Sequence, residues 1–146
     1  MITIEIPRLA PGLNGSKGLI RMHFSEYKKE KDKWIWWMKK AGVGLKAPMP
    51  CTMEFNRYYC KQPMDIDNVY AACKLPLDAM RETSIIPDDN PNCVTSIVVF
   101  QHKVKAIKDE KTIIHIRAAN ADTVVARDEE MIADYTERFP SSDEQE

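Results

Sequence analysis

Two acidic pairs bracket one helical stretch, and that arrangement limits what the rest of the chain can build. Between Met64 and Asp89 the sequence reads M-D-I-D-N-V-Y-A-A-C-K-L-P-L-D-A-M-R-E-T-S-I-I-P-D-D. Asp65 and Asp67 stand just before a helical pattern running from about Asn68 to Arg81, and Asp88 and Asp89 just before a strand-like one. With Asn68 as the first helical residue, Asp67 is the N-cap and Asp65 lies just outside. Free backbone N–H groups and the helix dipole favour negative charge there. At about 100° per residue, Lys74 and Asp78 fall within roughly 20° of the face of Asp67. Val69, Ala72, Pro76 and Met80 form the opposite, apolar stripe, which should face a core. Pro76 has no N–H to donate, so the helix should kink between Ala72 and Pro76.

If folding brings Asp65, Asp67 and Asp89 to about 5 Å from one another, each pair repels by about 3 kcal/mol at an effective dielectric near 20. Protonation or a bound cation relieves such repulsion, and a divalent ion is the simpler remedy. Carboxylate oxygens select a hard ion, Mg²⁺ first, with Mn²⁺ as a substitute. Carboxylate-held Mg²⁺ beside a lysine such as Lys74 suits phosphoryl chemistry. A plainer reading makes Asp67 a helix cap and Asp78 a surface partner for Lys74. A calcium loop beginning at Asp65 is excluded, because Tyr70 stands where that loop needs Gly and Pro76 where it needs Glu.

The pattern D-x-D-N, a helical Lys, D-A-[LM] and then D-D leading into a strand resembles the RusA-type family of Holliday junction resolvases, small endonucleases of phages and bacteria. Upstream, Ala10-Pro11-Gly12-Leu13-Asn14 is similar to the family's P-P-S-x-N loop, with Gly12 in place of the second Pro or Ser, and a basic, Trp-containing helix follows. The likeness spans roughly residues 2–117 and is most specific between Asp65 and Asp89. It implies that Asp65, Asp67 and Asp89 are catalytic, metal-holding carboxylates and that Lys74 takes part in catalysis. It also implies branched DNA such as a four-way junction as substrate, and a homodimer. Lys74 departs from the pattern: it stands seven residues after Asp67 where four is usual, a shift of about 4.5 Å along a helix on nearly the same face.

Charge distribution agrees with a nucleic-acid partner. Residues 1–117 hold 19 Lys and Arg against 13 Asp and Glu, a net of +6, and residues 118–146 hold 2 against 9, a net of −7. A basic body of this kind attracts phosphate backbones. Asn14 and Lys17 in the loop, Lys28 and Lys29 on the basic surface of the first helix, and Arg57 and Lys61 flanking Asp65 are the candidate DNA contacts. A catalytically degenerate junction-binding or recombination accessory protein is the alternative.

The remaining sequence predicts strands over residues 2–6, 51–60, 93–100 and 111–117. It also predicts a first helix from Ser25 to Ala41, with Ser25 as N-cap and Trp34, Trp37, Met38 and Ala41 as its core stripe. Ile35 and Trp36 lie off that stripe, free for a subunit contact, a stacked base or the tail. The expected fold is a single α/β domain over residues 1–118, with a four-stranded mixed sheet, two main helices and an antiparallel final hairpin. An acidic tail over 119–146, partly helical or disordered, follows it. No apolar run is long enough to cross a bilayer, so no membrane partner is expected and the cytoplasm is the default location. Cys51, Cys60, Cys73 and Cys93 have no metal-ligand spacing and should be structural thiols.

Overall fold

Alternating isoleucines make the first strand, β1 (Ile2–Ile6), which buries Ile4 and Ile6 completely and turns Thr3 and Glu5 outward. This computed structural model describes residues 1–14 and 17–119. The expected acidic tail lies outside them beyond Ala119. Helix α1 (Phe24–Ala41) follows a proline- and glycine-rich loop. It starts one residue earlier than predicted, because a His23 ring nitrogen accepts from the Ser25 N–H at 3.3 Å and makes His23 the N-cap. Trp34 and Met38 are fully buried. Ile35 and Trp37 pack partly on the core, whereas Ala41, expected on the core stripe, is exposed in the last turn.

Strand β2 (Cys51–Tyr59) leads to two short helices, α2 (Ile66–Ala71) and α3 (Lys74–Glu82), in place of one. The break at Ala72–Cys73 falls within the window where Pro76 was expected to kink the helix. Pro76 occupies the third position of α3, where an N–H has no partner inside the helix, so its missing donor costs nothing. The first segment also begins earlier than predicted. Asp65, not Asp67, is the N-cap, and Asp67 lies in the first turn. Val69, Ala72, Pro76 and Met80 are all buried, as their stripe required.

Strands β3 (Val94–Lys103) and β4 (Lys111–Ala118) complete a mixed sheet of order β1-β4-β2-β3. β2 and β3 run parallel, joined through α2 and α3, and β4 runs antiparallel to both β1 and β2. The expected final hairpin is therefore corrected: β3 and β4 do not pair, and β2 lies between them. After β3 the Val104 N–H donates to the Tyr59 carbonyl at 2.8 Å, and the Glu110 carboxylate accepts from the Cys60 N–H at 3.0 Å. The chain thus crosses the end of β2 and returns on its far side. There β4 gains two neighbours and buries Ile114 and Ile116, a larger apolar gain than a hairpin at the sheet edge offers. Met53, Phe55, Ile114 and Ile116 from the sheet join Trp34, Met38, Leu75 and Met80 from the helices in one core. All four cysteines are free thiols. Among the described residues no helix is long and apolar enough to cross a membrane.

Candidate active site

Two amide side chains fasten the backbone on either side of Asp65. Gln101, on β3, accepts from the Met64 N–H at 2.8 Å and donates to the Met64 carbonyl at 2.9 Å, so the residue before Asp65 is held as if by a short piece of extra strand. Asn68, in the first turn of α2, accepts from the Leu13 and Asn14 N–H groups at 3.1 and 3.0 Å. That ties the proline loop after β1 to the helix that carries Asp67. Gly12 permits the approach: a Cβ there would lie 3.2 Å from the Asn68 carbonyl and from Met64 Sδ.

Asp65 and Asp67 are exposed at this fixed turn, and neither has an ion-pair partner among the described residues. The Asp65 side chain makes no capping hydrogen bond. Both carboxylates therefore keep their oxygens free. Asp89 sits after the Pro87 corner, where Arg81 of α3 lies 3.9 Å from it and 4.0 Å from Asp88. Asp88 accepts from the Asp89 N–H at 2.8 Å, and with this bond first among the causes its carboxyl is held below the usual carboxylate range.

Asp78 lies at the centre of a second group. It was expected on the exposed stripe with Lys74, but the break between α2 and α3 changes the phase of the helix and turns it inward, to 7% exposure. The Tyr27 hydroxyl donates to its carboxylate. Lys74 lies 3.6 Å away and Arg81 3.9 Å away on the same helix. Lys74 Nζ also sits 5.7 Å above the Tyr27 ring. Tyr27 and Asp78 thus hold the Lys74 ammonium itself, on a side chain that stays 59% exposed.

Burial pushes the Tyr27 phenol pKa up, the bond and charge of Asp78 add to it, and Arg81 opposes them. A phenol with a folded pKa above its unfolded value of about 10 contributes stability that is fully present below about pH 10 and is lost as pH rises further. Tyr27→Phe should therefore flatten the alkaline decline of the melting temperature above about pH 10. It should also lower stability at neutral pH by about 1 kcal/mol. Melts of both proteins across that range check it, and an unchanged alkaline slope would show that the fold does not hold the Tyr27 phenol above its ordinary pKa.

Beside the turn opens a cleft of about 730 Å³ between the proline loop and α1. Leu9, Ala10, Pro11, Met22 and Met64 give it apolar walls, and Arg8, Lys17, Lys29, Lys33 and Arg57 give it cations. Its two carboxylates are Glu26 and Glu30. Glu30 is already engaged, accepting two bonds from Arg8 at 2.9 and 3.0 Å and lying 3.4 Å from Lys33.

Asp65 and Asp67 thus share the turn that opens α2, Lys74 lies beside Asp78, and Asp89 lies beside Arg81. Among the described residues no three His, Cys, Asp or Glu side chains form one ready cluster for an ion. Of the expected DNA contacts, Lys17, Lys29 and Arg57 line the cleft. Asn14, Lys28 and Lys61 are exposed and do not line it. Comparison with family models and with curated proteins returns no match. Sequence reasoning missed Gln101, Asn68, Tyr27 and Arg81. Asn68 and Arg81 had a signal, since each adjoins or shares a helix with a singled-out acid; Gln101 and Tyr27 had none.

Proposed function

We propose that this protein is a Mg²⁺-dependent endodeoxyribonuclease that hydrolyses phosphodiester bonds in branched DNA, in the manner of the RusA-type resolvases its acidic motif resembles. The observation that carries the reading is the fastened turn at Asp65. It presents two exposed, unpaired carboxylates at the edge of a cationic cleft. Gln101 and Asn68 reduce the freedom of that turn, which is what a site needs if its groups are to meet a substrate in one geometry.

Asp65 and Asp67 offer free carboxylate oxygens of the kind a hard divalent ion takes, and Asp89, beside Arg81, is the third carboxylate that the resemblance assigns to the ion. Bound Mg²⁺ would polarise a phosphate and lower the pKa of water. Lys74, steadied by Asp78 and Tyr27, supplies a positive charge for a phosphate whose negative charge grows during hydrolysis. The cations of the cleft draw in the DNA backbone and fix its position without reading sequence. A four-way junction has strands related by two-fold symmetry, so a homodimer with two sites matches it.

A second reading, a junction-binding accessory protein that does not cut, is favoured by one observation. Arg81 already lies beside Asp88 and Asp89 and offsets their charge. A single assay separates the two. A labelled four-way junction and a matched linear duplex are incubated with protein in Mg²⁺, in Mn²⁺ and in EDTA. The nuclease reading expects paired, symmetrical nicks in the junction, dependent on the metal and at least about tenfold faster than any cut in the duplex. Binding without nicks in either metal would establish the accessory reading.

A further inference from the structure

We infer that the cleft beside Asp65 binds one unpaired nucleotide of a DNA strand, with Arg57 gripping its phosphate from the cleft wall. The inference rests on the nuclease reading for the kind of strand involved, and deepens it by assigning the strand a place.

Arg57 is the reason to look for an anion here. It projects from β2 on the core side of the sheet, in register with Gln101 and Thr112. Its guanidinium is partly buried, with burial acting first against its charge; the Tyr59 ring lies 5.7 Å from it and Glu110 supports the charge from farther off, but no carboxylate lies within ion-pair distance among the described residues. Its one side-chain hydrogen bond is a long one, 3.4 Å to Gln101, and its Nε is buried without an acceptor. A buried cation with unfilled donors is costly unless an anion completes it. Arg8 on the same wall also has a buried Nε without an acceptor, but Glu30 pairs with its charge at 2.9 Å.

The surroundings narrow the anion to one joined to an apolar ring. Lys17, Lys29 and Lys33 stand around the cleft as further cations. Leu9, Pro11, Met22 and Met64 form apolar surface, and methionine adapts its shape to a flat ring. The 730 Å³ volume far exceeds what a phosphate ion fills and lies in the range of about 300–1,000 Å³ typical of small-molecule sites. Phosphate, sugar and base together answer all three features. Met64 belongs to this wall and immediately precedes Asp65, so a strand seated in the cleft leads directly to the candidate active site. An unpaired nucleotide is favoured because a duplex holds its bases stacked inside, so only a single-stranded stretch or a base drawn out of the stack can meet the apolar wall.

The test measures binding of a fluorescein-labelled four-residue oligothymidylate to the full chain by anisotropy in EDTA, over a series of salt concentrations, with inorganic phosphate as competitor. Wild type should bind, and Arg57→Gln should weaken binding at least about tenfold and make the salt slope shallower by about 0.7, the value for one lost contact to a single strand. Arg57→Lys should restore the slope, which a purely structural role would not do. Lys29→Ala should weaken binding about threefold, and Lys39→Ala, outside the cleft, should not. If Arg57→Gln fails to fold, the rim pair Lys17→Ala and Lys29→Ala decides, with a loss of at least about tenfold expected. Unchanged affinity in the deciding variant overturns the inference, as does phosphate competing as well as the oligonucleotide, which marks an ion site only. Junction cleavage by wild type with unchanged strand binding in Arg57→Gln refutes this inference alone. Absence of both binding and cleavage refutes the nuclease reading beneath it.

Discussion

Asp67→Asn should abolish metal-dependent cleavage of a four-way junction, with a loss of at least about a hundredfold, while junction affinity in EDTA stays within about twofold. The asparagine keeps the shape of the side chain and removes its charge, so a hard ion loses a ligand oxygen of full negative charge. The fold uses that charge only through the dipole of α2, in whose first turn Asp67 lies, a contribution of a few tenths of a kcal/mol. Asp67 is exposed and has no ion-pair partner among the described residues, so the variant should melt within about 3 °C of wild type. Binding should persist or improve slightly, because a negative charge near a phosphate backbone has been removed. Nicking rates and filter or anisotropy titrations on the same junction check both halves. Cleavage at the wild-type rate would exclude Asp67 from the metal set.

Gln101→Ala should be the most damaging single change to the scaffold of the site, costing about 2–4 kcal/mol of stability. Both the N–H and the carbonyl of Met64 lose their partner at once, and a backbone group left without one in a part-buried place costs about 1–3 kcal/mol. The turn at Asp65 then loses its fixed geometry, so cleavage should fall further than the loss of folded protein explains. Gln101→Glu keeps the acceptor for the Met64 N–H, loses the donor to its carbonyl and sets a carboxylate beside Arg57. Its cost should fall to half that of the alanine variant or less. Urea midpoints for the three proteins, with cleavage measured well below the transition, give the result. Equal stability of wild type and Gln101→Ala would mean that Met64 is held by something other than this side chain.

Much of the fold was legible because local physics decided it. Alternating isoleucines required β1, the Trp34 and Met38 spacing required the buried face of α1, and Pro76 required an interruption close to where α2 gives way to α3. The sheet order was not legible, since a hairpin and a crossover after Lys103 place the same apolar residues in strands and differ only in long-range partners. The depth of Asp78 was misread for a related reason. A helical wheel assumes one unbroken helix, and the break at Ala72–Cys73 rotates α3 relative to Asp67. In the candidate site the acids stood out because spacing and charge are properties of sequence. Their supports did not: Asn68 binds a loop more than fifty residues away, and Gln101 binds Met64 across 37 residues. A single amide on a strand gives no local hint of its partner. Arg57 was singled out by its place near Asp65, but its partial burial with an unpartnered Nε needed the folded sheet to be seen.

The strand order also has a temporal consequence. Among the described residues β1 pairs only with β4, so Ile2 meets Ile116 and Ile6 meets Thr112 across most of the described chain. β1 leaves the ribosome well before β4, and until β4 follows, β1 has no strand edge to join among the described elements. Closure of so long a loop is slow compared with helix formation, which makes the arrival of β4 the step that converts a partly ordered nascent chain into a protein.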